Sequence, residues 1–250
     1  MSRFFVSKND IDAANGKITI TGDDVKHIKN VLRMSPGESV VVCDGEGTDY
    51  TARLVSVEKD IVLAAVEEAV KNIAEPDVFI TLYQGIPKSD KMDFIIQKSV
   101  ELGVSRIVPV ITERTVVRFD NQKDMENKRV RWQRICMEAA KQCNRGRIPE
   151  VALPVRIQEA VKLAAAAGAG IIPYEKETAK GIKDFLKDNN NADSISVFIG
   201  PEGGFSEKEA EYASGSGVQP VTLGPRILRT ETAGVAVISI IMYEIGDMGS

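Results

Sequence analysis

One histidine, one tryptophan and three cysteines are few side chains for metal or thiol chemistry in 250 residues. Cys43, Cys136 and Cys143 are odd in number and lack metal-ligand spacing, so they read as reduced structural thiols, and no metal is expected. Long apolar runs are missing too. The longest, residues 233–243, is broken by Gly234 and Ser239 and is too short to span a bilayer. Lys8, Asp10 and Asp12 follow Phe4-Phe5-Val6 too soon for a secretory signal, so the expected location is cytoplasmic. Neither a G-x-G-x-x-G fingerprint nor a Walker loop is present, which argues against a dinucleotide or nucleoside triphosphate enzyme.

What is present is enough for one large domain or two modest ones, with an apolar fraction of 43% and a charged fraction of 27%, ordinary for a folded chain. The net charge of −4 hides an asymmetry. Between Arg114 and Arg147 stand ten Lys or Arg against four Asp or Glu, a local +6 that leaves −10 for the remainder. Such a segment either neutralises phosphates or is a solvated helix face.

Residues 1–74 read as short strands at 3–6, 17–20, 39–43, 51–57 and 61–66, rich in Val, Ile, Thr and Phe, with an Asp44-Gly45 hairpin signal. One helix interrupts them, from Asp23 or Asp24 to Arg33, and a small β-barrel is the expected result. Residues 71–77, with Pro76, read as a boundary. Beyond it the pattern turns to alternating strands and helices: strand 78–83, helix 90–102 closed by Gly103, strand 107–111, loop 121–124, basic helix 127–143, helix 158–167, strand 170–173 and helix 180–188. With strands 195–199 and 218–223 and a last helix 231–244, this predicts five parallel strands with helices on both faces. The last helix is apolar nearly all round, so it is buried in its own subunit or covered by a partner.

The last two strands each end at a glycine, followed by a turn and a helix start. Loops leaving the carboxyl ends of parallel strands gather at one rim, where ligands bind. The first loop is Gly200-Pro201-Glu202-Gly203-Gly204, with Ser206 and Glu209 at capping-box spacing behind it. The second is Gly224-Pro225-Arg226-Ile227-Leu228-Arg229, ending at Thr230 as a candidate helix cap. Either is a tight strand-to-helix turn or a wall that presents backbone groups to a flat heterocycle; two together, with two arginines, favour a site.

The run from Phe198 to Ser206, FIGPEGGFS, with that from Leu223 to Ala233, LGPRILRTETA, resembles the bacterial 16S ribosomal RNA uridine-N3 methyltransferase family, of the SPOUT class of S-adenosylmethionine enzymes. Arg3-Phe4-Phe5-Val6, His27-Ile28 with Val31-Leu32-Arg33, and Lys98-Ser99-Val100-Glu101-Leu102-Gly103-Val104 extend the resemblance nearly end to end. It implies a PUA-like β-barrel RNA-binding domain at 1–74. It implies a methyltransferase domain at 75–250, an α/β parallel sheet whose C-terminal segment forms a deep trefoil knot, working as a homodimer. It also implies cofactor contacts at Gly200, Glu202, Gly203, Leu223, Gly224, Ile227, Leu228, Thr230 and Ala233, with Pro173-Tyr174-Glu175 as a further wall. Arg226 and Arg229 would meet the target uridine or its phosphate, and Glu231 would stand near the acceptor as the catalytic carboxylate. On residues alone, Glu231 equally favours its helix N-terminus, by about 0.3–1 kcal/mol, and Arg229 equally pairs with Glu202. Arg3, Lys88, Arg114 and Arg118 are candidate RNA contacts, and His27 reads as structural or RNA-facing.

Methyl transfer from a sulfonium needs neither metal nor covalent nucleophile, only alignment and control of the acceptor's proton. The partner expected is 16S ribosomal RNA or the small ribosomal subunit. A non-catalytic RNA-binding assembly factor is the alternative, and it predicts salt-sensitive RNA affinity without S-adenosylmethionine binding.

Overall fold

The computed structural model describes residues 1–249. The chain divides into two units, the first comprising Met1–Glu75 with Ala140–Ile148, the second Pro76–Ala139 with Pro149–Ser250.

The first unit is built by period-two alternation. Its strands are β1 (Arg3–Phe5), β2 (Ile11–Asp12), β3 (Lys17–Thr21), β4 (Ser39–Cys43), β5 (Thr48–Val57) and β6 (Ile61–Lys71), with helix α1 (Asp23–Lys26) between β3 and β4. Ile18 and Ile20, Val40 and Val42, Ala52 and Leu54, and Val62 and Ala64 alternate onto one face and are buried with Phe4. Val25 from α1 and Ile28 from the π-helical turn His27–Val31 complete this core. The strand order is β1-β4-β5-β6-β3-β2, antiparallel except for β1 with β4. It is a curled sheet with β1 and β2 as its edges. Residues 140–148, which the sequence reading left in the second domain, group with this unit because Arg145 and Gly146 are held by Glu75.

The second unit alternates as expected. β7 (Phe79–Gly85), α2 (Lys91–Glu101) and β8 (Arg106–Ile111) form the first crossover, followed by α3 (Gln122–Gln142). α3 starts before the expected Asn127, because Asn121 caps it through a 3.0 Å hydrogen bond from the Asp124 amide. Then come β9 (Glu150–Val151), β10 (Val155–Arg156), α4 (Ile157–Ala167), β11 (Ala169–Pro173), α5 (Ile182–Asp188), β12 (Ser194–Ile199), α6 (Glu207–Gly215), β13 (Gln219–Val221) and α7 (Thr230–Glu244). All pairs are parallel, in the order β10-β8-β7-β12-β11-β13, with β9 also on β8. Seven strands replace the expected five, since two-residue β9 and β10 add to one side.

The central strands β7 and β12 are buried on both faces, as crossover helices on both sides require. Tyr83 and Phe198, paired across them, stack at 4.5 Å with ring planes 5° apart. From the edge strand β13 the chain returns to the middle of the sheet, where α7 packs on α2 and β12. Val237, Ile238, Ile241 and Met242 are buried there, while Ile240 and Tyr243 are exposed.

Candidate functional site

The carboxyl ends of β11, β12 and β13 open into a cavity of about 1020 Å³. All nine residues expected at the cofactor line it: Gly200, Glu202, Gly203, Leu223, Gly224, Ile227, Leu228, Thr230 and Ala233. So do Pro173, Tyr174 and Glu175 at the end of β11, and both Arg226 and Arg229.

Close backbone approach shapes the first loop. A Cβ on Gly200 would lie 2.9 Å from Gly204 Cα, and one on Gly85 would lie 2.5 Å from Pro201 Cδ. Side chains at either position would force the loop open. Behind the loop, Ser206 and Glu209 make the capping box that starts α6, and Glu209 also accepts the Glu113 amide at 2.8 Å. Arg114 donates to Gly203 O, bracing the loop from outside.

A buried relay joins this loop to α7. Thr230 Oγ1 donates to Gly200 O at 2.6 Å and accepts from Gln84 Nε2 at 3.0 Å, while Gln84, at the end of β7, is fully buried. Thr230 is thus the first residue of α7 rather than its cap, which is Arg229. Sequence reasoning missed Gln84.

It also missed Lys91, the first residue of α2. Lys91 lines the cavity, with its Nζ 3.1 Å from Glu202 Oε1 and 3.4 Å from Glu231 Oε2. The hydrogen bond to Glu202 raises the Lys91 pKa against the lowering effect of burial, so the side chain remains an ammonium. Burial pushes the Glu202 carboxyl up, but bonds from its own amide, Lys91 and the Lys88 amide outweigh it and hold the group below its ordinary value. A charged residue at the start of a helix gives no sequence signal beyond that position.

Several expected roles change. Glu231 is not in the cavity wall; its Oε2 is buried without a hydrogen bond, and the cation beside it is Lys91, so any influence on the cavity passes through Lys91. Glu202 pairs with Lys91, not with Arg229. Arg3, expected at the RNA, has its guanidinium on Asp49 at 2.8 and 2.9 Å and on Arg145 O within the first unit. Four of the ten cations of the basic segment are ion-paired, Arg129 with Glu126, Arg131 with Asp93, Lys141 with Asp24 and Arg145 with Glu75. Arg118, Lys123 and Arg134 remain exposed without an ion pair among the described residues. Lys88 is exposed. His27 is exposed on its π-helical turn, its ring 6.3 Å from that of Phe4. Burial raises the Cys43 thiol pKa, which keeps it protonated and inert.

Among the described residues no group of three or more His, Cys, Asp or Glu could hold a metal ion, and no helix is long and apolar enough to cross a membrane.

The sheet, its glycine-rich rim and the curled sheet before it define a class. Residues 74–242 match the family profile described as RNA methyltransferase domain and residues 20–67 the one described as RNA methyltransferase PUA domain, and the fold is of the SPOUT type. Within that class the chain belongs to the family of ribosomal RNA small subunit methyltransferase E. Over 250 residues it is 34% identical to the protein of that name from Bacillus subtilis (strain 168), covering 98% of this chain and 97% of the relative. The Aquifex aeolicus (strain VF5) protein is 36% identical over 228 residues, covering 88% and 91%. The solved structure of the Neisseria gonorrhoeae protein, bound to S-adenosyl methionine, superposes with a TM-score of 0.86 at 36% identity, covering 99% of each chain.

Proposed function

We propose that the protein transfers a methyl group from S-adenosylmethionine to N3 of a uridine in the 16S ribosomal RNA of the small ribosomal subunit, in the cytoplasm. The observation that carries this reading is the gathering of all nine expected cofactor residues around one cavity. Its volume suits a ligand of nucleoside size, since such pockets run from about 300 to 1,000 Å³. The amides of Ile227 and Leu228, in the wall, have no hydrogen-bond partner among the described residues, which leaves donors for a heterocycle or a carboxylate.

S-adenosylmethionine, when bound, supplies a methyl group already activated on a sulfonium. The chain's own residues supply alignment and charge. The two loops hold the donor, largely by backbone groups, and the Gln84–Thr230–Gly200 relay fixes the first loop relative to α7. Arg226 and Arg229, exposed and without an ion pair among the described residues, meet the uridine or its phosphate. Glu231 acts by orienting Lys91. Residues 1–74 form the RNA-binding domain and 75–250 the catalytic one; Lys88 and Arg118 extend the RNA contact. The protein works as a homodimer closed over the exposed Ile240 and Tyr243 of α7.

The test is calorimetry with S-adenosylmethionine and S-adenosylhomocysteine on protein whose mass in solution has been measured, as wild type and as Gly200→Ala. Binding by the wild type and none by the variant is the expected outcome. Nucleoside analysis of methylated small-subunit RNA should then give 3-methyluridine. No heat from the folded wild type with either ligand sinks the reading and leaves the assembly factor; methylation at another atom sinks only the N3 assignment.

A further inference from the structure

Charge divides the cavity wall. Arg226 and Arg229 belong to the second loop, whereas Glu202 belongs to the first, and Glu175 stands beside it: a Cβ on Gly204 would lie 3.5 Å from Glu175 Oε2. Glu202 and Glu231 share one counter-ion, Lys91. Glu175 has no ion pair among the described residues, and it lines the cavity. Glu175, Glu177 and Glu202 line this side of the cavity against one lining ammonium, Lys91, so three carboxylates face one cation and two negative charges are left in excess.

A wall of that sign is unsuited to an anion and suited to a cation. We propose that the first-loop side, with Glu202 and Glu175 as its charges and Lys91 as the partial counterweight, is a cation subsite that selects the positively charged sulfonium of the methyl donor over the neutral thioether left after transfer. The inference rests on the S-adenosylmethionine reading above and adds to it a reason for product release. Transfer breaks the carbon–sulfur bond and leaves its electron pair on sulfur, which becomes neutral; the acceptor nitrogen forms the new bond to carbon and releases its proton to water. The spent donor has then lost the charge that this wall attracts. The second loop, with its free arginines, keeps its attraction for phosphate throughout.

The residues make opposite predictions, which separates an electrostatic role from a merely structural one. The quantity to measure is the ratio of affinities for S-adenosylmethionine and S-adenosylhomocysteine, by calorimetry. Glu202→Gln removes one negative charge and should shift the ratio about three- to tenfold towards the thioether. Lys91→Met removes the counterweight and should shift it by a similar factor the other way. Glu175→Gln has no ion pair to lose and should follow Glu202→Gln, which keeps the test alive if loosening of the first loop unfolds either other variant. A ratio unchanged within about twofold in the variants that bind both ligands, or moved in the same direction by Glu202→Gln and Lys91→Met, overturns the subsite and leaves the methyltransferase reading intact. If the wild type binds neither ligand, it is the methyltransferase reading itself that has failed.

Discussion

Arg3 has its guanidinium turned inward on Asp49, with Asn72 donating to the same carboxylate at 2.7 Å and Arg145 bound to Glu75 at 2.9 Å nearby, whereas Arg226 stands exposed on a loop with no ion pair among the described residues. Both were candidates for nucleic acid. In the first unit the arginine is 11% exposed in its side chain and completes a network in which each charge finds its opposite. In the second, the charges at the rim are left open or share one counter-ion between two carboxylates. A charge that holds a fold together is satisfied from within; one that serves a ligand keeps a vacancy for it. Residue type does not distinguish the two, but partners do.

That contrast can be broken at its strongest point first. Asp49→Ala leaves Arg3 without its carboxylate partner and is expected to cost about 3–5 kcal/mol, read by urea unfolding. The same carboxylate has a pH signature. Burial raises its pKa, but bonds from Arg3, Cys43 and Asn72 outweigh burial and hold it below its ordinary value of 3.8. Its contribution is therefore complete above the unfolded value and lost as pH falls through the lower folded one, so Asp49→Asn should flatten the acid limb of stability below about pH 4.

A smaller effect lies at the hinge of the comparison. Thr230→Val removes the donor to Gly200 O and the acceptor of Gln84, leaving buried polar atoms unpaired, at a cost of about 1–3 kcal/mol. Unlike Asp49→Ala, it should also weaken S-adenosylmethionine binding, because it frees the first loop. Arg226→Ala should be the mildest for stability, within about 0.5 kcal/mol. It should nonetheless lower the salt dependence of RNA affinity by roughly one phosphate contact. A loss of melting temperature comparable to that of Thr230→Val would place Arg226 with the structural arginines instead.

Much of this was legible in the sequence, for reasons that can be named. The alternation of Ile18 with Ile20 and Val40 with Val42 marks half-buried strands at any glance, and the Gly-Pro loops after β12 and β13 mark the rim. The start of α3 was misread because polar residues at 121–124 look like a loop, when Asn121 is there to cap the helix. β9 and β10 are too short to carry a period. Lys91 and Gln84 were invisible for a different cause: their partners, Glu202, Glu231 and Thr230, lie in distant parts of the chain, and only the packing of α7 on α2 and β12 brings them together. The spacing of Glu231 from the loop likewise gave no hint that Lys91 would stand between it and the cavity.

The bond between Gln84 and Thr230 spans 146 positions of sequence, and that distance is also an interval of time. At roughly 5–20 residues per second, a ribosome needs about seven to thirty seconds to travel from one to the other. The first unit holds all its residues once Ile148 has emerged, and can settle while synthesis continues. The rim of the second sheet has to wait, with Gln84 lacking its acceptor and Gly200 its anchor, until the chain that closes it has been made. The protein is thus born in two instalments, and its cavity is among the last things about it to exist.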